Sequence, residues 1–247
     1  MQEKGLPAYL AELIGTLFLV FFITSVVVLF VSTGSQAQFG SDFAVVGFAQ
    51  GLVLLAMIAI FGGVSGGHFN PAVTLAVAVI RKISPLDAVI YILAQLSGAV
   101  LGALLTKSLL LDEGRATHYG AGSISPMLSG NVAGAAVEGL GVLVLVMVIL
   151  ATVFSKKNLK DWAPLGIGFT FVFMIMVGGP LTGGCFNPAR WFGAALVSNE
   201  WGGVWPYLVG PLVGAIVAVG VWRFVIEPGS NPAPAKSQPA QTSAAAK

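Results

Sequence analysis

The chain has 247 residues, of which 56% are apolar and 9% charged, with a mean hydropathy of +0.91. A soluble domain carries about 25% charged residues, and 12 basic plus 10 acidic side chains cannot cover a water-facing globule of this size, so the composition marks a polytopic membrane protein. The net charge of +2 does not suggest a nucleic-acid partner, one cysteine excludes a disulfide framework and a Cys-based metal site, and two histidines (His68 and His118) leave little room for a His-ligated metal or haem, so no metal is expected.

A helix needs about 20 mostly apolar residues to cross the hydrocarbon layer. Six stretches qualify, at roughly 9–31, 43–61, 86–106, 133–153, 163–180 and 204–226. The first follows a short polar start (1–8) and no small-residue cleavage site comes after it, so it reads as a retained span rather than a signal peptide. Two apolar segments remain, about 62–80 and 181–197, each opening on a glycine cluster. Only the latter part of each can be helical, and about ten helical residues reach halfway through a bilayer. The stretch from Glu227 to Lys247 is rich in Pro, Ala and Ser and reads as a disordered tail. Nine of the 12 basic residues fall at Lys4, Arg81, Lys82, Lys156, Lys157, Lys160, Arg223, Lys236 and Lys247, on one side of a six-span chain. The positive-inside rule makes that side, and both termini, cytoplasmic.

The two leftover segments are copies. Gly66-Gly67-His68-Phe69-Asn70-Pro71-Ala72-Val73 matches Gly183-Gly184-Cys185-Phe186-Asn187-Pro188-Ala189-Arg190 at six of eight positions. Glu12, Gly15, Leu17, Leu19 and Val20 likewise correspond to Glu138, Gly141, Leu143, Leu145 and Val146, and the pair Gly98, Gly102 to Gly210, Gly214. The last spacing lets helices approach closely. Residues 9–226 are therefore two related halves, about 9–110 and 133–226. Three spans per half is an odd number, so the second half is inverted relative to the first. Inversion brings the glycine-opened ends of the two half-helices together near the midplane, where irregular backbone is tolerated only if it is buried or lines a water-filled path. Gly66, Gly67 and His68 on one side, and Gly183, Gly184 and Cys185 on the other, would present carbonyl acceptors to that path. In each copy Asn is placed as N-cap with Pro at the first helical position. One such triplet would mean a well-capped helix and nothing more, but two in duplicated half-spans call for a shared function.

On these motifs the chain resembles the aquaporin family (major intrinsic proteins), over nearly all of residues 8–226. The resemblance implies an all-α membrane fold of six transmembrane helices plus two re-entrant half-helices. It also implies a homotetramer in the cell membrane with one pore per subunit, and neither cofactor nor catalytic step. Asn70-Pro71-Ala72 and Asn187-Pro188-Ala189 become the pore signatures. Their amides would donate to one water oxygen while the two helix N-termini present positive potential, breaking the water wire and opposing protons and cations. Arg190 could be a cation snorkelling to the interface, and the resemblance instead puts it at the narrowest outer constriction. Glu12 and Glu138, the acids at matching places in the first span of each half, could relay protons, whereas the resemblance makes them acceptors for the re-entrant loops. The same resemblance puts His68 on the cytoplasmic half of the pore. The position where some relatives carry a mercury-sensitive cysteine holds Gly184 here, one residue before Cys185. Gly63-Val64-Ser65-Gly66-Gly67 matches the nucleophile-elbow pattern without the strand, histidine or acid that a hydrolase needs; Thr182 stands opposite Ser65 in the other repeat, which fits a shared loop contact.

The resemblance implies four selectivity positions, which, located from the two asparagines, are Gln50, Ile175, Gly184 and Arg190. Water-selective members usually have Phe and His at the first two, and glycerol channels Trp and Gly, so this set matches neither. Losing both rings while keeping Gly184 should widen the opening, and Ile175 adds an apolar wall. Trp191 and Tyr207 lean towards water channels, while Leu208 does not. The expected function is a passive water channel that excludes protons and ions and passes small neutral solutes. The alternatives are a glycerol, urea or ammonia facilitator and, remotely, a secondary transporter, which should need coordinating acids at the midplane. An ion channel would want rings of carboxylates or carbonyls around a symmetry axis. The short segment SKKNLKD offers no evident gate, with Ser155 its one candidate for phosphorylation.

Overall fold

The computed structural model describes residues 4–31, 39–155 and 159–230. Lys156, Lys157 and the segment 231–247, including Lys236 and Lys247, lie outside the described residues. Ten α-helices are described: α1 (Leu6–Phe30), α2 (Phe39–Ser65), α3 (Pro71–Val79), α4 (Pro85–Leu109), α5 (Glu113–Ala116), α6 (Asn131–Ile149), α7 (Ala163–Thr182), α8 (Pro188–Ser198), α9 (Val204–Val221) and α10 (Glu227–Ser230). Single π-turns extend α6 over Leu150–Phe154 and α9 over Trp222–Ile226. Six helices are long and apolar enough to span a membrane. The stubs α3 and α8, of 9 and 11 residues, rise only about 14–17 Å and are the re-entrant half-helices.

Two boundaries differ from the sequence reading. The second span does not stop near residue 61 but continues through Gly62 and Gly63 to Ser65, and Gly66 N–H still donates to the Gly62 carbonyl at 3.0 Å. The fifth runs past Pro180 to Thr182 and ends on Gly183 at φ 77°, a left-handed cap open to glycine. In both cases the demand that every backbone group at membrane depth find a partner outweighs the poor helix propensity of Gly and Pro. The stretch expected to be unstructured from Glu227 begins with the helical turn α10.

Packing repeats between the halves. Helix α1 lies against α4 as α6 lies against α9, α2 and α7 meet between the pairs, and the half-helices cross over, α3 onto α9 and α8 onto α4. The close pairs depend on glycine. A Cβ at Gly98 or Gly102 would overlap the Leu13 or Leu17 carbonyl of α1, and one at Gly210 or Gly214 the Ala135 or Gly139 carbonyl of α6. Gly15 and Gly141 make room for the rings of Phe69 and Phe186, which a Cβ at either position would strike. The paired glycines of the two halves thus seat the re-entrant loops against the spans.

What holds those loops is a buried carboxylate in each half. Glu12 accepts from Ser65 Oγ at 2.6 Å and from the backbone N–H groups of His68 and Phe69 at 2.9 and 2.7 Å. Glu138 accepts from Thr182 Oγ1 at 2.6 Å, from Cys185 N–H at 3.0 Å and from Phe186 N–H. Both glutamates are fully buried. Ser65 Oγ and Thr182 Oγ1 accept in turn from Gly67 and Gly184 N–H. Tyr91 and Tyr207 cap the Ser65 and Thr182 carbonyls at 2.8 and 2.7 Å. In the first half Gln95 also donates to Glu12, at 2.8 Å.

These contacts set the expected response to substitution. Gly102→Val or Gly214→Val should cost about 1–3 kcal/mol through overpacking and lower the thermal midpoint in detergent. Gly220→Ala should leave that midpoint unchanged or raise it, because a Cβ there meets nothing within 4 Å. Glu138→Gln turns an NH2 group towards loop N–H donors, and each orphaned donor costs about 1–3 kcal/mol. The expected order of midpoints is wild type close to Thr182→Ser, then Thr182→Val, then Glu138→Gln.

Candidate functional site

The half-helices meet through their caps. Asn70 holds extended backbone (φ −153°, ψ 121°) and its Oδ1 accepts from Ala72 N–H at 2.9 Å; Asn187 (φ −155°, ψ 109°) accepts from Ala189 and Arg190 N–H at 2.9 and 3.3 Å. Pro71 and Pro188 occupy the first helical position, where a missing N–H costs nothing. The amide nitrogens then cross: Asn70 Nδ2 donates to the Phe186 carbonyl and Asn187 Nδ2 to the Phe69 carbonyl, both at 2.8 Å. A carboxamide has two N–H donors, so one bond of this kind leaves the second hydrogen of each amide for another acceptor. Phe69 and Phe186 both sit at φ 48°, a left-handed conformation costly for a bulky residue. That twist directs each N–H to the carboxylate behind it while its carbonyl meets the opposite asparagine. Both asparagines are buried, at 5% and 4% exposure.

Two cavities flank this junction. The narrow one, about 90 Å³, is lined by Gly66, Gly67, His68, Asn70, Cys185 and Asn187, facing an aliphatic wall that includes Ile23, Leu54 and Leu145. His68 is held there by its backbone bond to Glu12, by Thr74 Oγ1 at 3.1 Å from Nδ1, and by an edge contact with Tyr91. The wide one, about 470 Å³, is lined by Gln50, Ile175, Arg190 and Gly183, by Phe43 and Val46 of α2, and by the segment 116–126. Arg190 is 1% exposed; its Nη1 donates to Cys185 Sγ at 2.9 Å and its Nη2 to the Gly183 carbonyl at 3.5 Å.

The structure corrects the reading of Gly184. It is buried and stands behind Ile175 rather than among the residues lining either cavity. A Cβ at 184 would lie 2.9 Å from Ile175 Cδ1, so the space that glycine leaves is already filled by isoleucine and does not widen the opening. Its neighbour Gly183 lines the wide cavity instead. Trp191 and Tyr207 do not line either cavity; they stack on each other, ring centroids 5.7 Å apart, and buttress α8 from behind. Glu12 and Glu138 are likewise set back from both cavities, in the loop anchors described above.

Sequence reasoning missed two groups. Thr74, Tyr91 and Gln95 support His68 and Glu12, and Gln95 carried a usable signal as a polar residue in the middle of an apolar span. The segment 116–126 carried none: it forms a wall of the wide cavity through tertiary placement, with Ser125 N–H on the Leu181 carbonyl. At its rim His118 Nδ1 meets Glu200 Oε1 at 2.8 Å. Among the described residues no group of three or more His, Cys, Asp or Glu side chains could hold a metal.

The sequence profile of the Major intrinsic protein family matches residues 2–222. The chain is 38% identical to the Glycerol uptake facilitator protein-like 6 of Lactiplantibacillus plantarum, over 85% of this chain and 94% of that one. It is 36% identical to the Probable aquaporin TIP2-2 of Oryza sativa subsp. japonica, over 96% and 94% of the two chains. Among solved structures, the aquaglyceroporin from Plasmodium falciparum superposes with a TM-score of 0.78 over 91% of this chain and 98% of that one; at 23% identity this likeness speaks for the fold. With the crossed half-helices, the six spans and these relatives together, the chain belongs to the major intrinsic protein family of membrane channels.

Proposed function

We propose that the protein is a passive water channel that excludes protons and ions and also passes small neutral solutes. The observation that carries this reading is the crossed pair of asparagines. Each amide is held by one hydrogen on the opposite loop, and its second hydrogen is a donor for a water oxygen in the narrow cavity. A water that accepts from both amides turns its own hydrogens away along the path, so it cannot pass a proton across the junction. The N-termini of α3 and α8 each carry about half a positive charge, and Arg190 adds a full one at the wide cavity. A cation therefore meets positive potential where it must also shed water.

In this reading Asn70, Pro71, Ala72, Asn187, Pro188 and Ala189 form the central junction. Gln50, Ile175 and Arg190 form the outer constriction, with Gly184 allowing Ile175 its position. The carbonyls of Gly66, Gly67, His68, Gly183 and Cys185 serve as acceptors along the way. Both termini are cytoplasmic, on the strength of Lys4, Arg81, Lys82, Lys160 and Arg223 gathering at one set of helix ends. The subunits assemble as a homotetramer in the cell membrane, each with its own pore and with lipid as the surrounding partner.

A second reading, a facilitator of glycerol, urea or ammonia with water as a secondary permeant, is favoured by one observation. The wall of the wide cavity at positions 50 and 175 carries an amide and an aliphatic chain in place of rings, and one of the similar proteins bears the name of a glycerol uptake facilitator. Stopped-flow light scattering of proteoliposomes separates the two. Rapid shrinkage in a sucrose gradient supports the channel. Re-swelling in a glycerol or urea gradient as fast as the water flux would move it to the facilitator class. Shrinkage no faster than that of empty liposomes would remove both readings. Arg190→Val is expected to raise proton leak at least tenfold, equivalent to about 1.4 kcal/mol off the barrier, read with a pH dye trapped in the vesicles.

A further inference from the structure

We propose that the π-turn Leu150–Phe154 at the end of α6 is a gate on the narrow cavity, closing it as a π-turn and opening it when the chain rewinds to a regular α-turn. The inference rests on the channel reading above and adds a conformational control to it. Ile149, Val153 and Phe154 all line the narrow cavity. A regular helix turns about 100° per residue, which would put Phe154 roughly 140° round the axis from Ile149 and off that face. In a π-turn the hydrogen bonds span five residues, so residue 154 falls above residue 149 instead. The wider turn is thus what carries the phenyl ring to the cavity wall. Val153 would stay within about 40° of Ile149 in the regular form, so the ring of Phe154 is the part that leaves. In a cavity of about 90 Å³, the place of one phenyl ring decides how much of the passage is open.

The fold does not require this turn. By the offset that relates Glu12 to Glu138, Leu150–Phe154 corresponds to Thr24–Val28 in the first half, and α1 runs through that stretch as regular helix to Phe30. Helical π-turns are rare and gather at functional sites. A second one, Trp222–Ile226 at the end of α9, packs against the first. Trp222 is 7% exposed and its indole N–H has no acceptor there. The packing of the two turns therefore leaves a buried donor unmet, which lowers the advantage of the closed form. Within the first turn, Thr152 Oγ1 donates to the Val148 carbonyl at 2.8 Å. That is the acceptor that Thr152 N–H would take in a regular α-turn, so the hydroxyl supports the π form. After Phe154 the backbone is extended at Ser155 (φ −70°, ψ 149°), and no continuing helix fixes the register of the last turn.

The test uses proteoliposomes of the full chain and stopped-flow shrinkage in a sucrose gradient, corrected for empty liposomes and for the amount of protein. Phe154→Ala removes the ring and should raise the water flux about threefold or more, the effect of a minor open state becoming the only one. Thr152→Ala leaves the ring in place but removes the hydroxyl and favours the α-turn. It should raise the flux about two- to twelvefold, the range that one hydrogen bond supports, and Thr152→Ser should behave as wild type. A turn that must rewind also adds its own temperature dependence, so the Arrhenius slope of wild-type flux should be steeper than that of Phe154→Ala. Unaltered flux in either alanine variant, or equal slopes, overturns the proposal. If wild type passes water and neither variant changes its flux, only this inference falls. If neither wild type nor Phe154→Ala passes water faster than empty liposomes, the channel reading falls with it.

Discussion

Two loops of this protein lie in the middle of an apolar bundle with their backbone out of regular structure, and each is held there by one glutamate. A backbone N–H left unpaired at that depth costs several kcal/mol. Glu12 and Glu138 each accept two loop N–H groups and a hydroxyl, so the irregular turns carry little such cost. Everything downstream depends on that arrangement. With the N–H groups of Phe69 and Phe186 drawn back to the carboxylates, their carbonyls are turned forward to the opposing asparagines. The caps of the half-helices thereby meet in one crossed junction. Both acids accept from backbone donors of the loops and are not among the residues that line either cavity.

The halves share a plan yet build different surroundings. His68 of the first copy is answered by Cys185 in the second, and Val73 by Arg190. His68 contributes to the narrow cavity, where Thr74 and Tyr91 support its ring. Cys185 gives its sulfur to Arg190 and so helps fix the guanidinium. Gln95 reaches Glu12 in one half, while at the matching place in the other Tyr207 reaches the Thr182 carbonyl. A duplicated frame has thus been decorated differently at each end, giving about 90 Å³ on one side of the junction and about 470 Å³ on the other.

The wide cavity shows why a list of positions is a weak guide to an opening. Glycine at 184 suggests space, but Ile175 lies over it and takes that space up. Tyr207 and Trp191, which lean towards water channels in the sequence, pack on each other behind α8. Gln50, Ile175 and Arg190 are among the residues that line the cavity.

Much of the fold was legible in the chain itself, for a physical reason. Lipid permits only a few backbone solutions, so apolar length reported six spans, and the paired Asn-Pro-Ala motifs reported two capped half-helices that an odd number of spans must place in opposite senses. The caps are local chemistry, decided within four residues, so the motif itself is enough to assign Asn70 and Asn187 that role. The ends of α2 and α7 are not legible in this way, because Gly62, Gly63 and Pro180 have poor helix propensity and only the surrounding bundle keeps them helical. Nor is the segment 116–126 as a cavity wall, the role of Gln95, or the cover that Ile175 places over Gly184. Each of these depends on which side chain from a distant part of the chain occupies the neighbouring space. The sequence alone settled which backbone groups needed partners in the membrane, and tertiary packing decided which residues supply them.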